Sequence, residues 1–174
     1  MSQSKITLGV IGLCFSFVVV LGLFYYGPWS AHGIARSADR QLLAVGKIYA
    51  KGNFDEITNA IGDYVSFVKS HRNKISRERY VDMLLSSAYM RLATVSIYHG
   101  FENAACDYLM CAFEYHTAQR AVSKIAPVPK TEFVEFVMAG VEAIDAKSQI
   151  VWKTNVTLNP TSVIRIKACF ENKN

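Results

Sequence analysis

The chain has 174 residues, of which 51% are hydrophobic and 19% are charged, and its formal net charge at pH 7 is +5. The length excludes two domains of ordinary size, and the apolar content excludes an intrinsically disordered chain. Basic and acidic residues are mostly interspersed, so the charge does not indicate nucleic-acid binding, and we expect no nucleic-acid partner.

The first element is an uncharged run at residues 6–26. As an α-helix it is about 31 Å long at ~1.5 Å per residue, which matches the roughly 30 Å hydrocarbon core of a bilayer. Gly27 and Pro28 end it, and Tyr25, Tyr26 and Trp29 form the aromatic belt expected at a membrane interface. The run is too long for the apolar part of a cleaved signal peptide. We therefore predict a signal-anchor transmembrane helix within residues 1–28.

The orientation of this anchor follows from its position more than from its charges. The amino-terminal amine and Lys5 nearly balance Arg36 and Arg40 on the other side of the span. A short head before the span and a long domain after it are typical of a type II protein. We expect a single-pass protein of a bacterial inner membrane with its carboxyl-terminal domain in the periplasm, and with the bilayer and other membrane proteins as partners.

Residues 29–148 are predicted to form an α-helical hairpin or bundle domain. Apolar residues recur at spacings of 3 and 4, and cap residues precede the helices. Five helices are expected, at about residues 30–50, 54–69, 77–98, 101–125 and 132–148.

The third of these helices has an unusually wide apolar surface. Its inner stripe is flanked by four further residues, Tyr80, Met83, Met90 and Ile97. The width indicates either a central helix that packs on more than one side or a partner-binding face. We take these four residues as candidates for partner binding.

Residues 149–174 change from a helical period to a period of two. Ile150, Trp152 and Val156 alternate with polar residues, and residues 163–170 alternate as well. We expect a β-hairpin or an extended tail that packs on the helices, either as a lid on the core or as an open edge for a partner strand.

Two helix–helix joints share one pattern. The first contains Tyr49, Gly52 and Phe54, and the second contains Tyr98, Gly100, Phe101, Glu102 and Ala104. These joints resemble those of tetratricopeptide repeats, in which Tyr ends one helix, Gly makes the turn, and an aromatic residue and an acid open the next helix. Both turns are about one residue shorter than in that family, and no 34-residue period is sustained. The resemblance implies a protein-binding domain of helical hairpins.

One cluster of basic residues stands out between the second and third helices. It contains Lys69, Arg72, Lys74, Arg77 and Arg79, and only Glu78 opposes it. The cluster is either a solvated connection or a contact for anionic headgroups or an acidic partner.

The distal cysteines are Cys106, Cys111 and Cys169. Cys106 and Cys111 lie five residues apart on one predicted helix and point about 140° apart, so they cannot bridge each other. Cys169 with either of them is the expected disulfide, and buried free thiols are the alternative.

Motifs for catalysis are absent from the sequence. Cys111 and His116 point about 140° apart on a helix, and His99, Glu102 and Cys106 do not match a known ligand set. We expect no enzyme activity, no catalytic or metal site, no cofactor and no small-molecule substrate. The expected function is that of an accessory, assembly or scaffold subunit of a membrane complex. The alternative is a membrane-tethered immunity or inhibitor protein directed against a toxic enzyme.

Overall fold

The computed structural model describes residues 30–51, 53–75, 78–151 and 159–173. Within those ranges the chain forms six α-helices and one short 3-10 turn, and no strand. The helices are α1 (Ala31–Lys51), α2 (Phe54–Ser70), α3 (Glu78–Tyr98), α4 (Glu102–Val122), α5 (Lys130–Val151) and α6 (Pro160–Asn172), and the 3-10 turn is Arg72–Lys74. The prediction of a mainly α-helical fold is confirmed for this part of the chain.

The predicted membrane anchor at residues 1–28 lies outside the described residues, together with Tyr25, Tyr26 and Trp29 at its predicted interface. Among the helices that are described, none combines the length and the apolar character needed to cross a bilayer.

The helix starts follow local side-chain chemistry. Ser30 opens α1, where its Oγ accepts a hydrogen bond from the amide of Gly33 at 3.0 Å. Asn53 opens α2 with a reciprocal capping box, in which its Oδ1 accepts from the Glu56 amide at 2.9 Å and Glu56 accepts from the Asn53 amide. Each bond satisfies an amide that the first turn of a helix leaves without a partner.

The helices pair into three antiparallel hairpins, α1 with α2, α3 with α4, and α5 with α6. In the first two hairpins the connection between the helices is so short that the helices must run antiparallel. In the second hairpin the Ser86 hydroxyl of α3 donates to the Ala112 carbonyl of α4 at 3.0 Å. In the third pair Lys167 lies 2.7 Å from Glu135, and Lys130 near the start of α5 contacts the carbonyl of Lys173 at the end of α6.

Successive hairpins stack in the same direction. Tyr80 of α3 donates to Asp39 of α1, and about three turns farther along both helices Arg91 lies over the ring of Tyr49. The rings of Phe54 and Phe101, at the starts of α2 and α4, are in contact, so these two helices begin at the same end of the molecule.

The third hairpin is aligned with the second by three contacts between α4 and α6. They join Glu102 to Arg165, Cys106 to Cys169 and Asp107 to Lys173. The second helices of the hairpins therefore run parallel to one another, as α1 does to α3.

The core is built around α3, which packs against α2, α4, α5 and α6. Leu85 and Val95 of α3 are completely buried, as are Leu109 of α4 and Ile61 of α2. This central position accounts for the wide apolar surface that the sequence gives to α3, because each of its sides meets a different helix.

The predicted β-hairpin is wrong for the residues that are described. Helix α5 continues through Ile150 to Val151, and α6 occupies the segment expected as the second strand. Asn159 accepts from the Thr161 amide at 3.0 Å and Pro160 takes the first helical position, so these two residues start a helix. The residues buried in α6 are spaced four apart, at Ser162, Ile166 and Phe170. Residues 152–158 of the predicted first strand lie outside the described part.

Candidate functional site

An open groove of about 340 Å³ lies where α3, the end of α4 and the start of α5 meet. Apolar side chains form most of its lining, and three polar side chains complete it. The lining residues are Met90 of α3, His116 and Arg120 of α4, Val128 of the connecting loop, and Glu132, Phe133 and Phe136 of α5. We call this feature the Phe136 groove.

The floor of the Phe136 groove is held by an aromatic cluster. Phe133 is 2% exposed, and its ring centroid lies 5.3 Å from that of Phe113 and 5.3 Å from that of His116. Phe170 of α6 closes the cluster at 6.1 Å from Phe133. Phe136, one turn farther along α5, is instead 69% exposed. The groove therefore combines a rigid floor with one large apolar side chain that faces solvent.

The polar side chains of the groove are placed by α4 and its connecting loop. The Arg120 Nε donates to the carbonyl of Ala126, which folds the loop back along α4. Burial lowers the pKa of His116, and the positive charge of Arg120 lowers it further, so the imidazole is predominantly neutral at pH 7. Glu132 is exposed at the start of α5. Such a site suits an apolar side chain of another protein, with a few polar groups for orientation.

The four candidate residues of α3 have different environments. Met90 lines the Phe136 groove, and Met83 is 43% exposed. Tyr80 is half-buried and donates to Asp39, and burial, the largest of the causes, raises the pKa of its hydroxyl to about 12. Ile97 is 3% exposed and belongs to the core. Met83 and Met90 are therefore open to a partner, whereas Tyr80 is held by Asp39 and Ile97 is covered.

The basic residues that were predicted to form one cluster also differ in their contacts and exposure. Arg72 makes an ion pair at 2.9 Å with Asp82, whose side chain is 3% exposed. Lys69 donates to the Tyr89 hydroxyl at 2.9 Å, and this hydrogen bond raises the pKa of Lys69. Lys74 is exposed in the 3-10 turn, and Arg79 lies in the first turn of α3. Arg77 lies outside the described residues.

The cysteines are arranged as one disulfide and one thiol. Cys106 of α4 bonds to Cys169 of α6, with their Cα atoms 6.2 Å apart. Cys111 is a half-buried free thiol whose pKa is raised, first by burial and then by the charge of Glu114. The bond joins α6 to the hairpin before it.

A second cavity of about 440 Å³ lies at the joints that resemble tetratricopeptide repeats. Its lining includes Phe54 from the first joint and Phe101 and Ala104 from the second, and the two phenylalanine rings lie 4.7 Å apart. Gly100 makes the second turn at a φ of +76°, a conformation that favours glycine. His99 packs 5.0 Å from Phe54, and burial lowers its pKa.

Metal ligands do not converge in the described residues, where no three His, Cys, Asp or Glu side chains come close enough to hold an ion. His99, Glu102 and Cys106 are separated by their own partners: His99 packs on rings, Glu102 pairs with Arg165, and Cys106 is in the disulfide.

Sequence reasoning did not single out Phe136, Val128 or Arg120. One signal was present, because Phe136 is a large aromatic residue outside the inward stripe of Phe133 and Val137. The loop residue Val128 carried no such signal, since its place depends on how the loop folds back. Comparisons of the chain with models of protein families, with curated proteins and with solved structures gave no match.

Proposed function

We propose that this chain is a non-catalytic, single-pass membrane protein whose helical domain binds another protein of the same membrane complex, as an accessory or assembly subunit. The anchor rests on the uncharged run at residues 6–26, and the lack of catalysis rests on the absence of catalytic motifs in the sequence. Protein binding rests on the Phe136 groove, which is the observation that carries the proposal.

The groove supports protein binding because of what it leaves exposed. Phe136 presents its ring to solvent beside Met90 and Val128, over a floor that the buried Phe133 makes rigid. Aromatic and methionine side chains are enriched at the centres of protein interfaces, where a pre-formed pocket lowers the entropy lost on binding. A partner segment with one apolar anchor residue fits this shape.

The stacking of the hairpins supports the resemblance to tetratricopeptide repeats. Antiparallel pairs that stack in one direction are what such a repeat array requires, and the Phe54 and Phe101 joints meet at the same end. In such arrays the curvature of the stack creates an extended concave binding surface. The Phe136 groove lies between the second and third hairpins.

The disulfide supports an oxidising compartment for the domain. Disulfides persist outside the cytoplasm and are rare within it, so Cys106–Cys169 agrees with the type II orientation expected for the anchor. A reporter fused after Asn174 that is active only outside the cytoplasm would support this orientation, and activity only inside the cytoplasm would contradict it.

The binding proposal is tested by photo-crosslinking in native membranes. The full chain would carry p-benzoylphenylalanine in place of Phe136, and a matched variant would carry it in place of Leu43 of α1. Both positions are 69% exposed, so they differ in their surroundings and not in their accessibility. We expect a discrete adduct with one membrane protein from position 136 alone, and a Phe136→Ala variant that no longer co-purifies with that protein in mild detergent.

Two results would contradict the binding proposal. One is the same set of adducts from positions 136 and 43, which would indicate chance collisions. The other is recovery of the chain as a clean monomer at low salt from a detergent that preserves membrane complexes.

A further inference from the structure

One end of the helical array gathers the start of α1, the turn between α2 and α3, and the loop after α4. The antiparallel pairing of α1 with α2 and of α3 with α4 requires this. The Arg72–Asp82 pair joins the turn to α3, and Tyr115 in the later half of α4 stacks on Tyr89 of α3. We define the basal end as residues 30–38, 70–75 and 117–127.

The basal end is basic. Its three segments contain five Lys and Arg residues and no Asp or Glu, namely Arg36, Arg72, Lys74, Arg120 and Lys124. Two carboxylates come next along α1 and α3: Asp39 accepts from Tyr80, and Asp82 pairs with Arg72 and offsets its charge. The positive charge of the basal end therefore lies mainly on the exposed Lys74 and Lys124.

The opposite end is less basic. The segments that open α2 and α4, residues 53–58 and 101–107, contain four acids and no Lys or Arg, namely Asp55, Glu56, Glu102 and Asp107. Among the described residues, Arg165 and Lys173 of α6 pair with two of these acids, Glu102 and Asp107. Lys51, the last residue of α1, adds one positive charge at this end, so the first two hairpins are more basic at the basal end than at the opposite end.

The basal end also exposes two apolar side chains next to its lysine. Val122 is 52% exposed and Ile125 is 46% exposed, on either side of Lys124. Apolar side chains flanked by basic residues are typical of surfaces that enter the headgroup region of a membrane, where the apolar group is buried and the cation meets phosphate.

We infer that the basal end lies on the anionic lipid headgroups of the membrane that holds the anchor, an inference that rests on the membrane anchorage in the proposed function. The described chain begins at Ser30 in the basal end, and only residues 27–29 separate Ser30 from the uncharged run. Four extended steps of chain reach at most about 14 Å. The anchor thus holds the more basic end against the bilayer.

The test uses the full chain in lipid discs and measures hydrogen exchange of the backbone amides in residues 117–127. The amides at the end of α4 are suitable probes of contact with the membrane, because those of Ser123, Lys124 and Ile125 are hydrogen-bonded to preceding carbonyls and exchange measurably slowly. Discs of phosphatidylcholine alone would be compared with discs that also contain phosphatidylglycerol. Since each basic residue near an anionic surface strengthens attachment by about fivefold, we expect exchange to slow by about fivefold or more in the anionic discs and to recover at high salt.

Two charge-reversed variants make the test specific. Lys74→Glu combined with Lys124→Glu should abolish the difference between the two kinds of disc. Arg40→Glu combined with Lys47→Glu changes the net charge equally on exposed positions of α1 outside the basal end, and it should retain the difference.

Equal exchange in both kinds of disc, for a chain that resists alkaline extraction from them, overturns the inference and leaves the proposed anchorage intact. Loss of the difference in the α1 variant but not in the basal variant also overturns it, because the side of α1 would then be the contact. If hydrogen exchange slows only when an acidic membrane protein is present in the discs, the basal end contacts that protein and not lipid, and the inference is overturned. A chain that alkali extracts from the discs instead refutes the anchorage itself.

Discussion

Removal of the Cys106–Cys169 disulfide should lower the free energy of unfolding by about 4 kcal/mol. The bond closes a loop across a sequence separation of 63 residues, and closing a loop of that size in the unfolded chain costs about this much in entropy. The variant of choice is Cys169→Ser, because residue 169 is exposed and the serine hydroxyl can meet water. Cys106 stays behind as a buried thiol, which packs like a small apolar group.

The assay is thermal unfolding of the full chain in mild detergent, followed by circular dichroism. For a domain of this size, 4 kcal/mol corresponds to a decrease in Tm of about 10 °C. Reduction of the wild-type chain should produce the same decrease, and reduction of Cys169→Ser should produce none.

Cys111→Ser is the matched control for this prediction. It also replaces one cysteine by serine, but Cys111 is a free thiol, so no loop is opened and the Tm should change by only a few degrees at most. A Cys169→Ser variant with the same Tm as the Cys111→Ser variant would refute the reasoning, because it would show that the disulfide does not restrict the unfolded chain.

Three further predictions concern single side chains, all measured by denaturation of the full chain. Asn53→Ala removes the capping box of α2 and should cost about 1 kcal/mol, whereas Asn53→Asp should stay close to the wild type; equal losses in both variants would count against the cap. Phe170→Ala empties the aromatic cluster between α4 and α5 and should cost about 3–5 kcal/mol, whereas the exposed Ile164→Ala on the same helix should cost less than about 1 kcal/mol. Burial lowers the pKa of His99 below 6.5, so the stability from its neutral form is complete above that pH and is lost as the pH falls through the lowered pKa. The decrease in stability between about pH 7 and pH 5 should therefore be smaller in His99→Gln, and an unchanged pH profile would exclude this role.

The helices could be predicted because their apolar spacing and their caps depend on neighbouring residues. Asn53 and Glu56 form their capping box within one turn, and Ile57, Ile61 and Val65 mark the buried face of α2 at spacings of four. Local spacing does not determine the secondary structure of residues 163–170. Its apolar residues fit a period of two, but Ile166 and Phe170 also fit a helical period, and the contacts of α6 with α4 and α5 select the helix.

The candidate site could be predicted less well, because exposure depends on which helices become neighbours. Met83 and Ile97 lie on the same wide apolar surface of α3 in the sequence, yet one is 43% exposed and the other 3%. The choice between Cys106 and Cys111 as the partner of Cys169 likewise depends on the position of α6, which the expected strand did not provide. Local patterns identify the apolar face of a helix, and tertiary packing decides which part of it is covered.

The outer helices of the array give a physical reason why the Phe136 groove, and not the other side, is the candidate binding surface. Helices α1 and α5 lie at the two ends of the row formed by the first helix of each hairpin. Among the residues whose side chains are described, each of these helices has one large apolar residue that is 69% exposed, Leu43 in α1 and Phe136 in α5. Leu43 lies between the exposed cations Arg40 and Lys47, one turn away on either side, which gives α1 the polar outer surface that keeps a terminal helix soluble. Phe136 adjoins Met90 and Val128 over a rigid floor, so its surroundings are apolar and concave. Equal exposure with opposite surroundings thus makes the Phe136 groove on α5, and not the outer side of α1, the candidate binding surface.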